Sequence, residues 1–461
     1  MKIIILGANQ VGCTLAETLA NEANDITLVD PDADKLRELK DRIDISTVAG
    51  VPSHPDILER AGGEDAEMLI AVTENDEVNL VACRVAFSIF RTTKKICRLR
   101  SPAYLNQSKL FGGKDGVAVD VVVSPEEVVS KYISRLIDLP GALQVLDFAD
   151  NKAQLVAVKA HYGGPLVGQE IRLLRQHMPS VDTRVAAIFR RDRPIIPEGS
   201  TVIEADDEVF FIAASNDIRA VISELRRMDK PYKRVMIAGG GNIGMRLAQE
   251  IEKRYQVKII ERNAKRCTFL SENLNKAIVL NGECSQKELL LEENIEDTDV
   301  FLALTNDDEA NIMSSMLAKR LGARKVMALI NNPAYVDLVQ GGEIDIAISP
   351  QQATIGELLA NVRRGDVVKV HSLRRGAAEA IEAVAHKDEH SNAASKVVGK
   401  AISEIELPEG TTIGAIVRHD VVLIAHDHVK IEGDDHVILF MVDRKKIPEV
   451  ERLFKVGFHY F

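Results

Sequence analysis

Residues 235–244 read VMIAGGGNIG, and this stretch decides the fold. Val235, Met236 and Ile237 make a short apolar run. Gly239, Gly241 and Gly244 then take the first, third and sixth places of a loop made with Gly240, Asn242 and Ile243. Ile243, Leu247 and Ile251, four apart, put one apolar face on a helix that follows. A helix N-terminus presents unpaired N–H groups and a partial positive charge, and glycine lets a phosphate approach because it has no Cβ. Glu261 ends the next apolar run, KIIE, 22 residues after Gly239. An acid at that distance accepts hydrogen bonds from ribose hydroxyls. A lone glycine loop is weak evidence, since many such turns only pack a helix on a strand.

The chain writes the loop twice. GANQVG lies 232 residues earlier, with Gly7, Ala8, Asn9, Gln10, Val11 and Gly12 after the run Ile3–Leu6. Asp30 ends ITLVD, 23 residues after Gly7. Asn9 stands in place of the middle glycine. Asn tolerates positive φ better than other non-glycine residues, but its side chain intrudes where a pyrophosphate would lie. The first site therefore reads as weakened or re-tuned. The same offset carries AVTENDEVN (71–79) onto ALTNDDEAN (303–311), and SPAY (101–104) falls on NPAY (332–335). EADDEVFFI (204–212) resembles EGDDHVILF (432–440). This is duplication of a unit of roughly 230 residues, far longer than a solenoid period.

Each unit begins with apolar runs alternating with helical patterns. In the first copy the runs are Lys2–Leu6, Ile26–Val29, Thr47–Ala49, Met68–Val72, Ile96–Arg100 and Val117–Val123, and one helix face is Val11, Leu15 and Leu19. Such alternation predicts an α/β, doubly wound, Rossmann-like parallel sheet. A smaller α+β lobe follows in each copy, where EGSTVIEADDEVFFIAA reads as strand, acidic turn, strand. The expected domains are 1–135 and 232–355 for the parallel sheets, and 140–228 and 366–453 for the lobes.

Composition narrows the function. A net charge of -11 and an aromatic share of 4% without Trp count against a nucleic-acid surface. The five scattered cysteines make no C-x-x-C pair, which fits a reducing compartment rather than a disulfide framework. MKIIILGANQ runs straight into a strand and a glycine turn, so no signal peptide is read, and no run is long enough to span a bilayer. The expectation is a cytosolic protein, or one held to a membrane through a partner.

Other residues are expected at the same crevices. Thr73 and Glu74, and Thr305 and Asn306, follow the fourth strand of each sheet, where they touch ribose or base, or cap the next helix. Arg98 and Arg100 end the fifth strand of the first copy, to pair with phosphate or to lie solvated; Leu329 and Ile330 stand there in the second. The acid after the second strand favours an unphosphorylated ribose, hence NAD(H) or an adenosine nucleotide over NADP. HKDEH (386–390) fits a zinc-peptidase pattern, but the repeat puts it in a connection, and HDH (426–428) reads as a turn. Cys13 lies in a first helical turn, where a thiol pKa can fall, or is simply a small packed residue. No G-x-S-x-G, phosphate-binding G-x-x-x-x-G-K-[ST] or Y-x-x-x-K is present, nor a convergent His, Tyr or Lys set. Two nucleotide sites without catalytic groups point to a sensor, not an enzyme. The alternatives are an NAD-dependent oxidoreductase lacking a recognisable motif and a redox-sensing transcription regulator.

MKIIILGANQVG, RSPAY, GALQV, DTRVAAIFR, PYKRVMIAGGGNIG, ALTNDDEANIMSSMLAKR, AYVDLVQG and IDIAISPQQATI closely resemble the cytoplasmic regulatory subunits of bacterial Trk-type potassium uptake systems. The likeness runs essentially end to end. It implies two nucleotide-binding potassium-conductance regulator domains, each with a C-terminal regulator lobe. It also implies binding of NAD(H) and of ATP or ADP, and a tetrameric ring docked beneath a membrane-embedded potassium-translocating subunit. Carried onto this sequence, the first site uses Gly7 to Val11, Gly12, Asp30, Thr73, Glu74 and Arg98. The second uses Gly239 to Ile243, Gly244, Glu261, Thr305 and Asn306. Family members usually carry glycine at the places of Asn9 and Cys13.

Overall fold

The computed structural model describes residues 1–455 except 23, 112–115, 192, 196, 226–230, 340–341, 363–366, 374–377, 388–393 and 443–445, and only the backbone at 337, 367, 368 and 372. The short apolar runs form β1 (Lys2–Leu6), β2 (Asp25–Asp30), β3 (Ser46–Ala49), β4 (Met68–Ala71), β5 (Lys94–Arg98) and β6 (Val121–Val123). They pair in parallel in the order β3-β2-β1-β4-β5-β6. Between them lie α1 (Gln10–Asn21), α2 (Ala33–Lys40), α3 (Pro55–Arg60), α4 (Asp76–Val85) and α5 (Pro102–Leu105). Strand side chains alternate between two cores, as a sheet covered on both faces requires. Ile3 and Ile5 pack with Leu15 and Leu19 on one side, Ile4 and Leu6 with Leu58 and Leu80 on the other. Strand order reverses between β1 and β4, so the loops after these two strands flank the crevice where ligands enter such sheets.

After α6 (Pro125–Asp138), the first lobe comprises β7 (Ala142–Phe148), β8 (Ala153–Lys159), α7 (Leu174–His177), β9 (Thr183–Arg190), β10 (Arg193–Ile195), β11 (Glu208–Ala214) and α8 (Ile218–Leu225). Its antiparallel order is β10-β9-β11-β8-β7. The second parallel sheet repeats the first. Its elements are β12 (Arg234–Ala238), α9 (Asn242–Ile251), β13 (Gln256–Glu261), α10 (Ala264–Asn273), β14 (Ile278–Asn281), α11 (Lys287–Glu292), β15 (Val300–Ala303), α12 (Asp308–Arg320), β16 (Lys325–Leu329), α13 (Pro333–Val339) and β17 (Ile346–Ile348), with sheet order β14-β13-β12-β15-β16-β17. Then come α14 (Pro350–Val362), β18 (Val367–Leu373), β19 (Ala378–Ala385), β20 (Thr411–Arg418), β21 (Val421–Ile424), β22 (Asp435–Met441) and α15 (Ile447–Phe454). The second lobe's sheet is again antiparallel. No helix among the described residues is long and apolar enough to cross a membrane.

The chain forms two compact bodies. Of the described residues, one holds those of 1–128 with 351–362 and 446–451; the other holds those of 129–350, 367–442 and 452–455. In the first, Leu358, Leu359 and Val362 of α14 complete the core of the first sheet. In the second, Ser134 and Asp138 near the end of α6 take hydrogen bonds from Arg254 and Tyr255. The two lobe sheets of that body share one core, with Phe148 and Phe210 in the same cluster as Ala380, Ala415 and Phe440.

Three local expectations change. The strand expected before the acidic turn at 205–206 is a single bridge, Glu170 to Val202, because the backbone of 201–203 bonds instead to 168–171. The run 117–123 pairs only over Val121–Val123, since Val117 bonds back to Leu110 and Ala118 turns to φ +59. The fifth strand starts at Lys94, two residues before its first apolar residue, and Lys95 is buried with its ammonium on Asp120 at 2.8 Å.

Candidate functional site

Both glycine loops take the shape the spacing predicts. Gly7 and Gly239 sit at φ +104 and +107, a region L-residues avoid. A Cβ on Gly12 or Gly244 would come within 1.9 or 2.0 Å of the carbonyl oxygen of Gly7 or Gly239, so each helix rests directly on its loop. The acids close the loops from the other side. Asp30 accepts the Ala8 N–H at 2.7 Å and the Asp32 N–H at 3.0 Å. Glu261 accepts the Gly240 N–H at 2.9 Å and the Asn263 N–H at 2.8 Å. A carboxylate has about four acceptor positions, so capacity remains beyond these bonds.

The loops part at the helix tip. Asn9 lies at φ -75 and ψ 177, so its tolerance of positive φ is not called upon, contrary to the expectation. It caps α1, accepting the Gly12 N–H at 3.0 Å. Its amide then reaches Val72 O at 2.5 Å and Glu74 at 3.2 Å. Gly241 caps α9 with backbone alone, at φ -65, and a Cβ there would meet nothing within 4 Å. The middle glycine is thus not a conformational need; it leaves room.

On the far side of each crevice the structure assigns the capping role differently from the sequence. Asn75 and Asp307 cap α4 and α12 through the Val78 and Ala310 N–H groups, not Thr73, Glu74, Thr305 or Asn306. Thr73 and Thr305 give their hydroxyls to Asn79 and Asn311, each at 2.6 Å. These fully buried asparagines went unremarked in the sequence, although both quoted repeats place an Asn six residues after the Thr. Asn79 accepts the Thr73 N–H and gives its amide to Thr73 O and Arg98 O. Asn311 does the same with Thr305 and Leu329. Each one pins the two strand ends that form the crevice wall. Asp76 and Asp308 add a clamp on the next loop, accepting the Arg100 and Ser101, or Asn331 and Asn332, N–H groups.

Charge separates the crevices further. Arg98 is not a solvated strand end: it is 6% exposed, with its Nη2 3.2 Å from Glu74 in an ion pair and its Nε making no hydrogen bond. Arg100 holds Glu126 at 2.9 Å and Glu74 at 3.5 Å, and the Glu126 bond pushes its pKa up. The second crevice has uncharged Leu329 and Asn331 at these places. Its own cation is Arg266, whose Nε donates to Gly240 O at 2.7 Å while the guanidinium lies over Phe269. Burial pushes the Cys13 thiol up rather than down, and its sulfur packs on Ala8 O. His426 and His428 lie in a turn as expected, closed by the Val429 N–H on His426 O; of HKDEH, residues 388–390 lie outside the described residues.

A duplicated Rossmann-like sheet with a helix-tip crevice, each copy trailed by an antiparallel lobe, defines the class. Residues 3–125 and 235–350 match the TrkA-N domain, and 155–226 and 392–455 the TrkA-C domain. The chain is 67% identical to the Trk system potassium uptake protein TrkA of Halomonas elongata over 100% of both chains. It is 62% identical to that of Vibrio alginolyticus over 99% of each. Among solved structures it resembles the GsuK RCK domain, at 18% identity and TM-score 0.59, covering 98% of this chain and 94% of that one. A GsuK channel bound to NAD gives the same TM-score over 98% and 78%. At such identity these two speak for the fold alone. The chain belongs to the family of Trk system potassium uptake proteins TrkA.

Proposed function

We propose that this chain is the cytoplasmic, nucleotide-binding regulatory subunit of a Trk-type potassium uptake system, lying peripherally under the membrane-embedded translocating subunit. Four copies form a ring. Domains 1–135 and 232–355 bind nucleotide, and lobes 140–228 and 366–453 pass on the state. The supporting observation is the bare tip of α9. Gly241 leaves open space beside helix N–H groups, next to Glu261, in a chain matching its named relatives end to end.

In the second crevice the pyrophosphate of NAD(H) sits on Gly239, Gly240, Gly241, Asn242, Ile243 and Gly244, with the ribose on Glu261 and the far wall at Thr305 and Asn306. In the first, Asn9 occupies the corresponding space beside Gly7, Ala8, Gln10, Val11 and Gly12. Phosphate is met instead by Arg98, whose buried guanidinium has hydrogen-bonding capacity to spare. That crevice, with Asp30, Thr73 and Glu74, takes ATP or ADP. Ligands of different phosphate count favour different angles between lobes, and only a difference in affinity between states, typically about 1–3 kcal/mol per site, moves a gate. No bond in the ligand is made or broken.

The test is calorimetric titration of NADH and ATP into wild type and Gly241→Asp, paired with potassium flux through the reconstituted translocating subunit. Gly241→Asp should lose NADH and keep ATP. Steady oxidation of NADH by the pure chain would instead favour the oxidoreductase alternative.

A further inference from the structure

The opposite edge of the second parallel sheet, where β12, β13 and β14 begin, holds a cavity of about 720 Å³. Lys233, Arg234, Lys253, Arg254, Lys258 and Lys276 line it, against the carboxylates of Glu252, Glu293 and Asp297. Those acids are already engaged. Glu252 accepts the N–H groups of Asn275, Lys276 and Ala277. Glu293 pairs with Lys258 at 2.8 Å and Asp297 with Arg234 at 3.0 Å. Arg254 is held by Asp138. Lys233, Lys253 and Lys276 are left without a carboxylate partner among the described residues, on the rim of a cavity with Val235, Met236 and Val257 in its wall.

The fold does not require this charge, and the first copy is the control. At the matching places it carries Asn21 for Lys253, Thr27 for Lys258 and Asp44 for Lys276, while Lys2, in place of Arg234, is paired with Asp65 at 3.0 Å. Helix C-termini attract cations, and α9 ends at this rim. Yet α1 ends at the equivalent rim with Asn21 and Glu22, so capping a helix does not explain the lysines. A concave surface with three more cations than acids, on a chain of net charge -11, focuses anions. Its size suits a ligand of several hundred Å³.

We propose that this cavity is a separate anion site, for a compound or headgroup bearing two or more phosphates. Lys233, Lys253 and Lys276 supply mobile point charges, and Arg234 and Arg254 supply planar donors. Arg254 also holds Asp138 of α6, so a bound anion competes with that carboxylate.

The probe is inorganic tripolyphosphate, titrated calorimetrically into the full Arg98→Met chain, whose first crevice has lost its phosphate contact, with and without saturating NADH to fill the second. One tripolyphosphate per chain should still bind in that background in the presence of NADH, and adding Lys253→Glu/Lys276→Glu should weaken it about tenfold or more. NADH reads the second crevice and Arg98→Met removes the phosphate contact of the first, so failure of the nucleotide reading and failure of this site are distinguishable. If the reversal variant does not fold by circular dichroism, Lys253→Gln/Lys276→Gln carries the same test. Flotation with vesicles containing phosphatidylinositol 4-phosphate identifies the source. Binding lost in the variant points to a headgroup; tripolyphosphate binding without flotation points to a soluble ligand. Absence of tripolyphosphate binding, unchanged affinity in the lysine variants, or complete displacement by NADH overturns the proposal.

Discussion

The two crevices share a backbone and differ at its one open point. Gly7 and Gly239 make the same turn, Asp30 and Glu261 the same clamp, Asn79 and Asn311 the same brace. At the helix tip, Asn9 satisfies its own loop, whereas Gly241 leaves the end bare. A side-chain cap is typically worth about 1 kcal/mol to a helix. The first copy takes that stability within the chain; the second leaves the N–H groups at the tip of α9 without a side-chain cap. The difference teaches that the middle glycine of such a loop concerns space, since both residues occupy the same region of φ.

The largest effect tests what the copies share. Asn79→Ala and Asn311→Ala each leave a buried peptide N–H and carbonyls without partners, and each should cost about 3 kcal/mol. Thermal melts should fall by similar amounts for both. A drop confined to one copy would show that the brace is not common property.

A smaller effect sharpens what they do not share. Asn9→Gly removes the bonds to Gly12, Val72 and Glu74 and opens the tip of α1. It should lower stability by about 1 kcal/mol and raise NADH affinity at the first crevice about tenfold. Gly241→Asn, the reciprocal change, should weaken NADH at the second by a similar factor. Calorimetry on both, with unchanged affinities in either, would break the comparison. Arg98→Met bears on the first crevice alone: it should lower ATP affinity about tenfold and leave NADH at the second crevice untouched, read in the same titrations.

Much of this was legible in the chain. Periodicity and the repeat set out both parallel sheets, because each strand is a short apolar run between helical patterns. The loop geometry was legible because glycine at positive φ and at a 2.0 Å approach has no substitute. The burial of Arg98 was not, since a cation at a strand end reads the same whether water or Glu74 faces it. Nor was the bracing role of Asn79 and Asn311. A buried amide and a solvated one look alike until the carbonyls of Thr73 and Arg98 are brought to it by folding, and only its recurrence in both copies signalled it. The bridge at Val202 misread for a related reason: a β-branched pair beside an acidic turn suits a strand, and the partner at 168–171 is non-local.

The smallest prediction extends the comparison to the lobes. On β18 and β22 the second lobe carries His371 and His436, where the first has Leu146 and Glu208. Burial lowers the His371 pKa to about 4, against the pull of Asp147, whose carbonyl lies 3.3 Å away; Lys369 and Arg135 push the same way as burial. Between the ordinary value of 6.5 and 4 the unfolded chain binds a proton that the folded one refuses, so stability falls as pH falls through that window. His436 is the reverse. Its bond to Glu382 at 2.6 Å raises its pKa, so its contribution is full below 6.5 and is lost as pH rises through the raised value. Glu382 is held low despite burial, by His436 and the Ala149 N–H, and loses its contribution only below the usual carboxylate range. Melting temperature measured from pH 6.5 down to 5 therefore isolates His371. His371→Leu, which borrows the first copy's residue, should flatten that limb, and His436→Gln should flatten the limb above 6.5. An acid limb equally steep in His371→Leu would mean that the half-buried imidazole is not what makes the second lobe the acid-sensitive one.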